Sequence, residues 1–187
     1  MNKPKSLSDL QITMNRVITV RKTQILEKKA LDAQYLNYGD FSDICDTVKD
    51  TWRKLMEEDD VPRTIEGVCY LTLATIEPSV INKAKLIAQA QSALAGVAGI
   101  TAIISAVGIA LGWGAGLIGS ITAFFCGAPI AGPLGLLAGG ALLAAIAAYF
   151  AIKSKNEKDM SEKAEKVMRE GLLKALEGLW EVRKTEN

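Results

Sequence analysis

The sequence predicts an all-α protein, a helical bundle with a central Gly/Ala-rich hydrophobic hairpin of transmembrane helices flanked by amphipathic helices. Three observations carry this reading. Leu86 to Ile152 is a run of 67 residues without Asp, Glu, Lys or Arg, whereas residues 1–85 carry 13 basic and 13 acidic groups and residues 153–187 carry 9 and 8. That run is more than three times the ~20 residues that cross a bilayer as helix. On both sides of it apolar residues recur at helical spacing, and inside it clustered Gly and Pro divide the run. Three regions follow: amphipathic helices over 1–85, a two-span hairpin over 86–152, and a C-terminal amphipathic helix over 153–187.

Leu10, Met14, Val17, Ile25, Leu31 and Tyr35 predict a polar helix over residues 7–38 with a thin apolar face. Asn37-Tyr38-Gly39-Asp40 reads as a turn. Phe41, Ile44, Cys45, Val48, Trp52, Leu55 and Met56 then share one helical face, ending in the acidic group Glu57-Glu58-Asp59-Asp60. Pro62 opens a third element, Ile65 to Ile76, which favours helix, although the alternation from Tyr70 to Ile76 leaves strand open. After Glu77-Pro78-Ser79 the helical pattern resumes at Val80 and passes through Lys83 and Lys85 into the uncharged run without an evident stop. Beyond the run, Met160, Ala164, Val167, Met168, Leu172, Ala175, Leu176, Leu179 and Trp180 form a helical stripe. The opposite face carries Glu162/Lys166, Glu165/Arg169 and Glu170/Lys174 at four-residue spacing.

The uncharged run holds 12 Gly and 19 Ala against 24 Leu, Ile, Val or Phe, so it is long but only moderately greasy. At roughly −0.3 to −0.6 kcal/mol per large apolar residue, insertion is worth on the order of −10 kcal/mol before Gly, Ser, Thr and Pro subtract. Gly127, Pro129, Gly132 and Pro133 forbid regular helix and mark the hairpin turn. Leu134 to Ile152 is long enough for one span, while Ser92 to Cys126 would measure about 52 Å as helix and must bend or break, most readily at Gly112-Trp113-Gly114-Ala115-Gly116. Lys83, Lys85, Lys153 and Lys155, with Trp113, Tyr149 and Phe150, are the expected membrane-interface residues, and the flanking lysines keep both ends cytoplasmic. Gly108, Gly112, Gly116 and Ser120, continued by Gly135 and Gly139, form a glycine zipper suited to helix packing or self-assembly.

Much chemistry is excluded. The absence of His removes Ser-His-Asp and Cys-His catalysis and His-ligated metals. A net charge of +1 argues against nucleic acid as partner. Gly114 to Gly119 matches GxGxxG, yet no strand precedes it and the next acidic residue is Glu157. Asp40, Asp43, Asp46 and Asp50 read as a solvated face rather than a calcium loop, and the acidic group at 57–60 as a helix end. Cys45, Cys69 and Cys126 form no CxxC, which indicates a reducing compartment, and Cys126 beside Phe125 reads as an inert small hydrophobe. The N-terminus lacks an apolar signal core, so synthesis in the cytoplasm without a cleavable signal is expected. No enzyme activity and no cofactor are expected.

With an Ala/Gly-rich hairpin over 93–152, amphipathic helices before it and one after it, the layout resembles colicin-type pore-forming domains, and its small-residue content is similar to that of glycine-zipper bacterial toxins. The resemblance implies that 93–126 and 134–152 insert, while 41–58, 63–76 and 157–182 wrap them. Function on this basis is expected to be membrane permeabilisation by a pore-forming toxin or cell-death effector. Its partners would be the lipid bilayer, further copies of itself and a cognate immunity or regulatory protein. The alternative is a resident two-span membrane scaffold that binds partners without forming a pore.

Overall fold

A computed structural model of the chain describes residues 3–30, 34–127 and 156–186. The described residues form seven α-helices and no strand: α1 Leu7–Leu26, α2 Tyr38–Met56, α3 Arg63–Ile76, α4 Val80–Leu94, α5 Ile100–Ala110, α6 Ala115–Cys126 and α7 Glu157–Glu186. The element at 63–76 is therefore helix. Among the described residues no helix is long and apolar enough to cross a membrane.

Local chemistry sets the boundaries. Ser6 Oγ accepts the backbone N–H of Asp9 at 3.1 Å and starts α1. α1 ends at Leu26 and not near Tyr38, with the Glu27 N–H donating to the Thr23 carbonyl at 2.9 Å. Lys29 turns back to donate to the Tyr35 carbonyl at 2.8 Å and to pair with Asp40. The expected turn at 37–40 is the first turn of α2. Asn37 Oδ1 accepts from the Asp40 N–H at 3.0 Å while Asp40 accepts from the Asn37 N–H at 2.7 Å, a reciprocal cap that satisfies two otherwise orphaned donors. α2 ends at Glu57, held at φ 58° in the left-handed region.

α1, α2, α3 and α7 pack each on the next and α7 closes back on α1, an antiparallel four-helix ring. Leu10, Met14 and Ile18 from α1, Phe41, Ile44, Val48 and Trp52 from α2, Ile65 and Val68 from α3, and Ala164, Val167, Leu172 and Leu176 from α7 fill its centre. Full burial of each large side chain stabilises by about 1.5–3 kcal/mol, so Phe41→Ala alone removes about 3–5 kcal/mol once the cavity is included.

Polar contacts fix the ring's register. Arg21 pairs with Asp43 across α1 and α2 at 2.6 Å, so the aspartate face of α2 is partly engaged by α1. Glu165 takes Lys22 at 2.6 Å and Arg169 at 3.0 Å. Burial alone would raise the Glu165 pKa; hydrogen bonds from Lys22 and Arg169 outweigh it and hold the carboxyl below its usual value. Lys174 pairs with Glu177 at 2.8 Å, one turn onward, rather than with the Glu170 one turn back that spacing suggested. At the far end Glu58 accepts from Trp52 Nε1 at 3.2 Å and pairs with Arg183, whose guanidinium stacks 5.4 Å from the Trp52 ring.

α4 lies on α3, α5 on α7 and α6 on α5, so the described part of the uncharged run forms an outer layer on one side of the ring. α4 passes through Lys83 and Lys85 into that run, as the pattern predicts, but only for nine residues. It ends at Leu94, followed by Gly96 and Gly99 at φ 73° and 83°, and α5 starts only at Ile100. Cys126 is exposed at the end of α6, because Phe125 takes the buried position beside it.

Candidate functional site

The candidate site is the described part of the uncharged run, residues 86–127, together with the α3 and α7 surfaces that hold it. α4 presents Lys83, Leu86, Ile87, Ala90, Ala93 and Leu94 as one buried stripe. Leu94 seats over Gly67 of α3, where a Cβ would stand 2.4 Å from Leu94 Cγ. Arg63 donates to the Ser92 carbonyl and pins the end of α4 to the start of α3. α5 buries Ile103, Ile104 and Val107, and Gly171 of α7 sits under both Val68 and Val107. A Cβ at Gly178 would lie 2.9 Å from the Ala98 carbonyl oxygen, so this glycine lets the backbone entering α5 rest directly on α7.

Between α5 and α6 the chain reverses at a Schellman turn. The Trp113 N–H donates to the Gly108 carbonyl at 2.8 Å and the Gly112 N–H to Ile109 at 3.0 Å, with Gly112 at φ 72°. An L-residue adopts that conformation only at a cost of roughly 1–2 kcal/mol. The Trp113 and Ile118 side chains close over Gly108, where a Cβ would meet Ile118 Cγ1 at 2.6 Å. α6 turns Ile121 and Phe125 inward and leaves Gly116, Gly119, Ser120 and Ala123 exposed. Gln91 Nε2 donates to the Phe124 carbonyl at 3.0 Å and ties the end of α6 to α4.

The sequence-derived residues are thus dispersed. Gly108 lies in α5, Gly112 in the turn, and Gly116 and Ser120 on the outer side of α6, so the four do not form one ridge. The reason is local: the left-handed Gly112 interrupts the i+4 series at its second member. Trp113 is 8% exposed, with its ring edge closing over Gly108 of α5. Lys85 is exposed, but Lys83 is 1% exposed on the α3-facing stripe of α4. Burial lowers the Lys83 pKa, with the negative charge of Glu77 acting in the opposite direction. Glu77 is itself buried, and its Oε1 accepts the Ser79 N–H at 2.9 Å.

Gly127 caps α6 in extended conformation. Pro129, Gly132, Pro133, Gly135, Gly139, Tyr149, Phe150, Lys153 and Lys155 lie outside the described residues. Spacing gave no sign of the Gly67, Gly171 and Gly178 seats or of the Arg63 and Gln91 ties, since each depends on which helix lies opposite. Among the described residues no group of acidic or Cys side chains is arranged to hold a metal ion. No protein-family model matches this chain, and no curated protein and no solved structure matches it.

Proposed function

We propose that the protein is a membrane-inserting, pore-forming toxin or cell-death effector that permeabilises a bilayer through its glycine-rich uncharged segment. The observation that carries this reading is the way residues 86–127 are stored: without a single charge, yet broken into short helices laid against an amphipathic ring. α5 and α6 have 11 and 12 residues, about 17 and 18 Å each, too short for a hydrocarbon core of roughly 30 Å. Straightened through Gly112 they make one helix over 100–126, about 40 Å long, which suffices with some tilt.

The facial chemistry of α6 suits the same change. Against the bundle, its large residues are covered and its small ones face outward, which limits apolar surface in water. In lipid the preference inverts. Leu117, Ile118, Ile121 and Phe125 would meet acyl chains, and Gly116, Ser120 and Ala123 would let helix backbones approach. The partners on this reading are the lipid bilayer and further copies of the chain, with a cognate immunity or regulatory protein restraining it.

The test is release of a small dye trapped in liposomes on addition of the purified protein, with Gly112→Leu alongside. Release by the parent and not by the variant supports a pore assembled through the small-residue face. Insertion without release defeats the pore and favours the resident two-span scaffold.

A further inference from the structure

α2 and α3 pack side by side and antiparallel, and one end of the hairpin gives their register. Tyr38 at the start of α2 and Ile76 at the end of α3 line the same cavity of about 470 Å³. Seven residues inward from each, two helical turns along either helix, stand Cys45 and Cys69. Both are buried, at 1% and 4% exposure, in the same core, and Cys69 is the neighbour that acts most strongly on the Cys45 thiol. Two thiols placed at one level of an interhelical contact are candidates for a covalent link between the helices.

We propose that Cys45 and Cys69 are a redox pair that closes a disulfide between α2 and α3 when the protein meets a disulfide oxidant. The thiolate of one cysteine attacks a sulfur of the oxidant R–S–S–R, forming a mixed disulfide and releasing one R–S⁻. The second cysteine then attacks the protein-side sulfur of that mixed disulfide and releases the other R–S⁻. The two protons lost by the cysteines convert these to two R–SH, so two electrons pass from the dithiol to the oxidant. In a reducing compartment the pair stays open and the hairpin is held by packing alone. In an oxidising one, α2 and α3 are stapled and can no longer separate. The device rests on the α2–α3 packing and is independent of the proposed pore.

The neighbouring Cys69 thiol, and then burial, raise the Cys45 pKa, which keeps it protonated in the closed bundle, so exchange proceeds through local opening and is slow. Exposed Cys126 reacts faster and would divert the oxidant, so the test uses the full chain carrying Cys126→Ser. The reduced protein is incubated with oxidised glutathione, digested without reductant and mapped by mass. The expected result is a linked Cys45–Cys69 peptide, a mass two hydrogens lower for the intact chain, and a Tm raised by on the order of 5–10 °C for the roughly 25-residue loop that is closed. Dithiothreitol reverses all three. Glutathione held as a mixed disulfide without the linked peptide, or a linked peptide with a lowered Tm, overturns the proposal. The mass map needs no substitution at either cysteine, so it stands even where Cys45→Ala fails to fold.

Discussion

Gly112→Ala is the substitution that most directly probes the stored helix. At φ 72°, with nothing within 4 Å of an added Cβ, Gly112 offers no steric obstacle to Ala, and the effect is confined to the backbone. In the folded bundle the left-handed conformation costs Ala roughly 1–2 kcal/mol. In a straight helix over 100–126 the sign reverses, because Ala is better than Gly by about 1 kcal/mol. The two contributions add, moving the equilibrium toward the straight form by about 2 kcal/mol or more, roughly 30-fold. Gly114→Ala is the internal control. Gly114 lies at φ −73°, ψ 157°, which Ala adopts without strain, so only the helical gain of about 1 kcal/mol remains, roughly five-fold. The assay is the initial rate of dye release from liposomes, with Tm measured in parallel. Gly112→Ala is expected to release dye faster than Gly114→Ala, both faster than the parent, with its Tm lower by about 2–6 °C. Ala keeps the small-residue face, so loss of assembly, expected of Gly112→Leu, does not enter. Equal rates for all three proteins would refute straightening at Gly112 as the step that limits insertion.

Three further outcomes follow from single contacts. Gly178→Val places a Cβ 2.9 Å from the Ala98 carbonyl, and forcing that backbone apart is expected to cost about 1–3 kcal/mol, read as a lower urea midpoint. Lys83→Met removes a buried charge while keeping an unbranched chain, and is expected to stabilise by about 1 kcal/mol at neutral pH. The Lys83 pKa is lower folded than unfolded, so the parent gains stability as pH rises through the folded value toward 10.5, and the advantage of Met should shrink there; an advantage constant up to pH 10.5 would contradict the assignment. Glu57→Gly relieves a non-glycine residue at φ 58° and should raise Tm by about 2–4 °C; no change would show that the cap is not strained.

The legible part of the fold is the part in which a helix meets a generic apolar interior. The stripe from Phe41 to Met56 and the one from Met160 to Trp180 define α2 and α7 because polar residues on the other face leave one orientation. α1 is legible in its apolar stripe and not in its end, since the residues past Leu26 are held by a tertiary pair, Lys29 with Asp40, that spacing does not announce. The uncharged run is harder for a physical reason. When neither face carries charge, periodicity cannot say which side is inward, and helix ends rest on glycine backbone conformations and on tertiary seats such as Gly67 beneath Leu94.

Lys83 makes the same argument from the opposite direction. By composition, a lysine a few residues before an uncharged run is a boundary marker at the water side of a membrane. On α4 it occupies the same stripe as Leu86, Ile87 and Leu94, facing α3, with Glu77 the nearby negative charge that opposes the effect of its burial. A buried lysine costs the bundle stability at the very helix that leads into the uncharged segment, whereas an apolar residue there would hold α4 more tightly. On the proposed insertion reading, the cost falls on the helix whose release from α3 would precede insertion. Lys83→Met thus separates two roles: if the charge only burdens folding, the variant is more stable and releases dye at the parent rate, and if it sets the ease of undocking, added stability is accompanied by slower release.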